Sequence, residues 1–169
     1  MAATTDIDLG RVLVRERTLH LVDLENLLGD GPPGDAIAVL DRYLAVAGWR
    51  RGDLVYLACN PGLARSFVWE LRDLGVECVV HTACGRNGAD LALLAHAAPE
   101  FVARRAGRLV VGSGDGIFVA RAAAVRDLGV DVLVVSRPGS LHGRYRHLGF
   151  RVAWLPADVA DVADVAVAA

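Results

Sequence analysis

The sequence contains no lysine, and all 18 of its basic residues are arginine. That absence removes a Schiff-base lysine and the lysine of a phosphate-binding P-loop from the available chemistry. Cysteine is scarce: Cys59, Cys78 and Cys84 are odd in number and none stands in a C-x-x-C spacing, which argues against a zinc knuckle or a dithiol couple. Three small, reduced core residues are expected instead. Long apolar runs are missing too. The 54% hydrophobic content is mostly Ala, Val and Leu broken by Gly and charge, and no stretch approaches the roughly 20 residues of a membrane span. The first 17 residues, "MAATTDIDLGRVLVRER", carry acids where a signal peptide has a basic start, so a cytoplasmic protein is expected. Nor is there an excess of positive charge. A formal net charge of -2 and a pI near 6.2 exclude a broadly basic nucleic-acid coat protein, so any nucleic-acid contact must be local.

What is present is a repeating alternation. Short β-branched runs are each followed by a longer helical pattern, the signature of βαβ units and a parallel sheet. "TLHLVD" reads as the first strand, "DLVYLAC" as the second, "VECVVHT" as the third, "RLVVGS" as the fourth and "VDVLVVS" as the fifth, with "FRVAWLP" as a sixth at an edge. Helices are expected from Asp35 to Ala47, over "GLARSFVWELRDLG", from near Gly88, over 99–105, over "GIFVARAAAVRDLG" and in "LHGRYRHLG". The fold class expected is α/β, a three-layer α/β/α sandwich around a mainly parallel sheet. One domain over 18–156 suffices for 169 residues. Residues 1–17 form an N-terminal extension, and 157–169, "ADVADVADVAVAA", a low-complexity tail.

In open parallel sheets ligands bind beyond the carboxyl ends of the strands. The first strand delivers Asp23, Glu25 and Asn26 to that edge, the fourth delivers Ser113 and Asp115 in "GSGDGIF", and Asp90 opens the helix after the third. Each alone reads as a helix cap or a turn residue. Together, Asp23, Asp90 and Asp115 are three carboxylates converging from distant parts of the chain. Such a group repels itself unless a cation shares the site. All-oxygen ligands suit Mg²⁺ or Mn²⁺ rather than zinc, and a divalent ion there can polarise a phosphodiester and activate water.

The same stretches resemble a known family, the NYN domain ribonucleases of the PIN-like superfamily. The resemblance rests on Asp23 and Asn26 in "VDLENLL", Asp90 in "RNGADLAL", Asp115 in "GSGDGIF" and the following "LGVDVLVVS", in matching order over 18–156. It implies a Mg²⁺- or Mn²⁺-dependent endoribonuclease with Asp23, Asp90 and Asp115 as metal ligands, Asn26 as a further catalytic residue, and Glu25 and Ser113 in support. Two positions depart from the family pattern. Ile117 stands where many members carry a second acid, and Asn87, beside Arg86, stands where a Lys commonly precedes the helix Asp.

For the substrate, the loop "SRPGSLHGRYRHLG" is the most basic segment near this edge. Ser136, Arg137, His142, Arg144 and Arg146, with Tyr145 as a stacking ring and with Arg86 and Arg65, are the candidate contacts to single-stranded RNA. The three tryptophans read as core or edge packing. Other readings stay open: a catalytically weak or inactive RNA-binding or regulatory module, which the two departures favour, and a haloacid-dehalogenase-like phosphatase, which the absent lysine and the Glu at position 25 disfavour. A dinucleotide-binding domain lacks its early G-x-G-x-x-G. A homo-oligomer or a protein partner is compatible with the sequence.

Overall fold

A computed structural model describes residues 16–85 and 87–157. The expected tail beyond Ala157, nearly all of the N-terminal extension and Arg86 lie outside the described residues. Six strands, β1 (Thr18–Asp23), β2 (Leu54–Cys59), β3 (Cys78–Thr82), β4 (Arg108–Gly112), β5 (Asp131–Ser136) and β6 (Arg151–Trp154), form one all-parallel sheet in the order β3-β2-β1-β4-β5-β6. This is the doubly wound order, and the chain reverses direction across the sheet between β1 and β4.

Helices cover both faces, making a three-layer α/β/α sandwich. On one face, α1 (Leu24–Leu28), α2 (Ala36–Ala47) and α3 (Pro61–Phe67) pack with Val22, Val55, Leu57, Val110 and Val135 of the sheet. On the other, α4 (Gly88–Ala95), α5 (Pro99–Arg105), α6 (Val119–Asp127) and α7 (Gly143–His147) cover Leu19, Leu21, Leu109, Val111 and Val134. Every residue of β1 is buried, as a central parallel strand requires. Fully burying one such leucine or valine contributes about 1.5–3 kcal/mol. That apolar burial is what holds buried carboxylates in place at the end of the strand.

All six expected strands form. The helices differ in detail. α1 was not expected, because five residues are too few to reveal a helical period. Asp23 starts it by accepting from the Asn26 N–H at 3.1 Å, and Gly29, at φ 62, ends it. The helix expected over "GLARSFVWELRDLG" stops at Phe67 and continues only as a 3-10 turn, Glu70–Arg72. The β-branched and aromatic run Phe67–Val68–Trp69 loses side-chain freedom in a helix and weakens it there. Trp69 is 75% exposed, against the expectation of packing. Cys59 is buried and Cys78 half-buried, but Cys84 is exposed, so only the first is a full core residue. No helix among the described residues is long and apolar enough to cross a membrane.

Candidate active site

The point where strand order reverses is the crevice between the carboxyl ends of β1 and β4. β1 ends in Asp23 and β4 runs into Ser113, Gly114 and Asp115, so the two acid-bearing segments are adjacent strands' exits. The segments are tied together by specific bonds. The Ser113 hydroxyl donates to Asp23 Oδ2 at 3.1 Å, and the Gly114 N–H donates to Asn26 Oδ1 at 2.9 Å. The Asp115 N–H in turn donates to Ser113 Oγ at 3.2 Å. Asn26 is therefore more than a turn residue: its side chain latches α1 to the loop after β4.

Gly114 fits that latch for a steric reason. A Cβ there would collide with the Ser140 carbonyl and lie 2.5 Å from Ser136 Oγ, so only glycine lets the loops after β4 and β5 close on each other. The His142 N–H completes the contact, donating to the Gly114 carbonyl at 2.8 Å, and the Tyr145 hydroxyl donates to the Asp115 carbonyl at 3.0 Å from a fully buried ring, which packs in the core instead of stacking a base as expected. The backbone of the Asp115 loop is thus held on two sides.

Asp90 stands in the first turn of α4, after an unusual start. Asn87 precedes α4 at φ 61 without a side-chain cap bond, the one non-glycine left-handed residue among the described ones, a conformation that Asn tolerates better than most side chains. This places Asp90 over the end of β1, where both carboxyl groups are nearly closed off from solvent, Asp23 at 5% exposure and Asp90 at 8%. Each carboxyl lies within reach of another acid's charge. Burial pushes the Asp23 carboxyl up to about 7, and the charge of Asp90 adds to it, against the opposing bonds from the Asn26 N–H and Ser113. Burial also raises Asp90, helped by the charges of Asp115 and Glu25. Asp23, Asp90, Asp115 and Glu25 are thus one electrostatic cluster.

The donor set consists of hard oxygens, which fits Mg²⁺ or Mn²⁺. A divalent cation would offset the mutual repulsion of these acids and displace a proton from Asp23. Among the described residues, no three His, Cys, Asp or Glu side chains close around one point. One visible reason is that exposed Asp115 turns Oδ1 back to accept from the Ile117 N–H at 2.9 Å. Ile117 itself packs half-buried against the apolar cluster under α6, and no acid stands in its place. At the first strand–helix junction Asp23 serves as cap and no glycine precedes α1, so the junction lacks the glycine turn that admits a pyrophosphate.

The basic loop divides into structural and free residues. Ser136 is fully buried and bonds within its own loop, to the Arg137 carbonyl and Ser140 Oγ, both at 3.1 Å. Arg137 is half-buried, donates from Nε to the Asn26 carbonyl at 2.8 Å and lays its guanidinium against Gly29. Neither is presented to a ligand in the way the sequence led one to expect. His142, Arg144 and Arg146 are exposed, as is Arg65. Arg146 lies 5.4 Å over the Trp154 ring, and His142 sits against Gly116, beside Asp115.

Sequence reasoning missed Asn60. Its N–H and Nδ2 both donate to Glu25, at 3.0 and 2.6 Å, and its Oδ1 caps α3 by accepting from the Leu63 N–H at 2.9 Å. The signal was present: an Asn directly before a Pro at the first helical position is a helix start. Glu25 is therefore not a free solvated acid. Its charge also adds to the burial that pushes the Cys59 thiol up to about 11. No family model matches the chain, and comparison with curated proteins and with solved structures found no match.

Proposed function

We propose that this chain is a divalent-metal-dependent endoribonuclease of the PIN-like, NYN type that hydrolyses phosphodiester bonds in single-stranded RNA at the edge of its sheet. What carries the reading is the pair of buried carboxyls, Asp23 and Asp90, at the carboxyl edge of the sheet, both raised by burial and by a neighbouring acid, Asp115 among them. A structural carboxylate is ordinarily stabilised by its surroundings. This pair is destabilised by them, which is the mark of a site awaiting a cation.

Asp23, Asp90 and Asp115 would hold Mg²⁺ or Mn²⁺, which when bound supplies charge stabilisation at the phosphate and an activated water. The protein's own residues fix the geometry. Ser113 orients Asp23 through its 3.1 Å bond, Asn26 locks the Gly114 backbone, and the Tyr145 hydroxyl steadies the Asp115 loop. Exposed His142 lies against Gly116, beside Asp115, and exposed Arg144 and Arg146 follow it on α7, offering a ring and positive charge to a phosphate backbone.

A second reading, an RNA-binding module without turnover, is favoured by Ile117, which fills an acid's place with an apolar side chain. Incubating end-labelled single-stranded RNA with the protein in Mn²⁺, Mg²⁺ or chelator separates the two. Metal-dependent cutting that Asp90→Asn reduces at least about a hundredfold, the scale of a lost metal-site interaction, supports the nuclease. RNA retained but uncut, with retention lost in Arg144→Ala/Arg146→Ala, supports the binding module.

A further inference from the structure

The two ends of the sheet carry opposite charge. The carboxyl ends of the strands lead into Asp23, Glu25, Asp90 and Asp115, whereas the amino ends of the adjacent strands β2, β1 and β4 are preceded by arginine. Arg17 comes before β1, Arg50 and Arg51 before β2, and Arg104 and Arg105 end α5 just before β4; all five are exposed. The ion pairs among the described residues engage Arg108 and Arg151 but none of these five. A net charge of -2 for the whole chain conceals the separation.

A cleft of about 260 Å³ opens at this amino edge, lined by Glu16, Arg17, Arg50, Arg51, Gly52 and Asp53. Backbone bonds place its arginines. The Asp53 N–H donates to the Arg50 carbonyl at 3.0 Å, closing a turn that has Arg51 and Gly52, at φ 97, at its tip. Buried Asp53 then clamps that turn to β1: Oδ1 accepts from the Thr18 N–H and Oδ2 from the Arg50 N–H, both at 2.8 Å. Because Arg17 directly precedes Thr18, the clamp sets it beside the turn, and the Arg50 guanidinium reaches back to the Glu16 carbonyl at 3.2 Å. On the other side, the Arg17 carbonyl accepts at 3.1 Å from the N–H of Gly107, two residues after Arg105. The five arginines thus form one surface, and the strand starts hold it in place.

We propose that this amino edge is a second RNA-contact surface, which grips the phosphate backbone of single-stranded RNA away from the carboxylates. The identity of the polyanion rests on the RNA reading above. Guanidinium groups match phosphate oxygens in a fork and keep their charge at any working pH. The cleft is lined by no apolar side chain. A protein partner would call for an apolar or aromatic core, whereas phosphate contacts call for none. Asp53 does not oppose an anion, because both its oxygens already accept from backbone N–H groups, and Glu16 is the one exposed acid of the cleft. The six residues of β1, at about 3.3 Å each, put roughly 20 Å between this surface and Asp23. RNA held here is therefore tethered while another segment of the same strand lies at the acids. The tether supplies charge that the acidic edge lacks, where Arg137 Nε is taken by the Asn26 carbonyl.

The test has two parts, both on the full chain in chelator with a labelled oligouridylate long enough to span the sheet. In an NMR titration of the wild type, the amides of Arg17, Arg51 and Gly52 should shift on RNA addition. In binding measured across a salt series, Arg17→Gln/Arg50→Gln/Arg51→Gln should flatten the slope of log affinity against log salt by about 2, which is about 0.7 for each of three phosphates released. By the same relation it should weaken binding about a hundredfold at about 0.1 M salt. These side chains are exposed, and a melting curve records that the variant folds; the NMR mapping needs no variant. Amides that RNA leaves unmoved, or a salt slope unchanged in the triple variant, would overturn the proposal. Shifts produced by polyglutamate but not by RNA would also overturn it and assign the edge to an acidic protein. Chelator keeps the two claims separate. RNA bound at the amino edge of a chain that cuts none leaves this inference standing, and metal-dependent cutting by a chain whose amino edge RNA never touches removes it alone.

Discussion

Asp23 and Asp53 are both buried, at 5% and 9% exposure, and they stand at opposite ends of the same sheet. At the amino end, burial works to raise Asp53, yet the hydrogen bonds it receives outweigh that and hold its carboxyl below the usual range. Oδ1 accepts from the Thr18 N–H and Oδ2 from the Arg50 N–H, both at 2.8 Å, and His20 Nε2 lies 3.5 Å away, its other nitrogen against the Tyr43 hydroxyl at 3.1 Å. At the carboxyl end, Asp23 receives only the Asn26 N–H and the Ser113 hydroxyl and faces a second acid. The same side chain is thus satisfied at one end and frustrated at the other. Burial is common to both, and the partners decide the sign.

The largest expected effect concerns pH. The Asp23 carboxyl binds its proton more tightly folded, with a value raised from 3.8 to about 7. Its contribution to stability is therefore fully present below about pH 4 and is lost as pH rises toward 7, by no more than about 4 kcal/mol. His20 has the opposite sign, since burial lowers it and stability falls as pH drops below 6.5. The difference between wild type and Asp23→Asn isolates the first. In chelator at pH 8 the Asn variant should melt higher, and the two curves should converge by pH 4. A wild type that melts higher at pH 8 would contradict the frustrated pair.

The mirror experiment is Asp53→Ala. Removing this carboxylate strips acceptors from the Thr18 and Arg50 N–H groups and a partner from buried His20, and should cost about 3 kcal/mol in urea unfolding. A loss below about 1 kcal/mol would mean that the network is not the anchor described. Metal comes next. Mn²⁺ at a hundredfold excess over its dissociation constant should stabilise the wild type by about 2.7 kcal/mol, and Asp115→Asn should erase most of that rise in melting temperature. An unchanged rise would remove Asp115 from the ligand set. Smallest is Tyr145→Phe, which takes one donor from the Asp115 carbonyl and should cost about 1 kcal/mol; a neutral result would show that the Asp115 loop holds its position without it.

Much of the frame was legible in the sequence. The strands are near-continuous apolar runs of the right length, and the acids fall at the end of the first and just after the fourth of them, so the pattern alone puts Asp23 and Asp115 at one edge. Helical detail was less legible, because α1 is a single capped turn and α3 is cut short by bulky residues at 67–69. Residue roles that depend on a partner far away in sequence could not be read at all. Arg137 pairs with the Asn26 carbonyl 111 residues away and Asn60 with Glu25 at 35. An arginine in a basic loop gives no sign that it will be spent on backbone, nor a glutamate two residues after Asp23 that it will be pinned by an amide.

The most direct measurement is the number of protons released when Mn²⁺ binds at pH 6, obtained by calorimetry in buffers of different ionisation enthalpy. If the Asp23–Asp90 pair is a proton-filled cation site, binding should release about one proton, and Asp23→Asn should release close to none. Binding with no proton release by the wild type would show that the metal, if it binds, does so elsewhere, and that the buried pair is not its site.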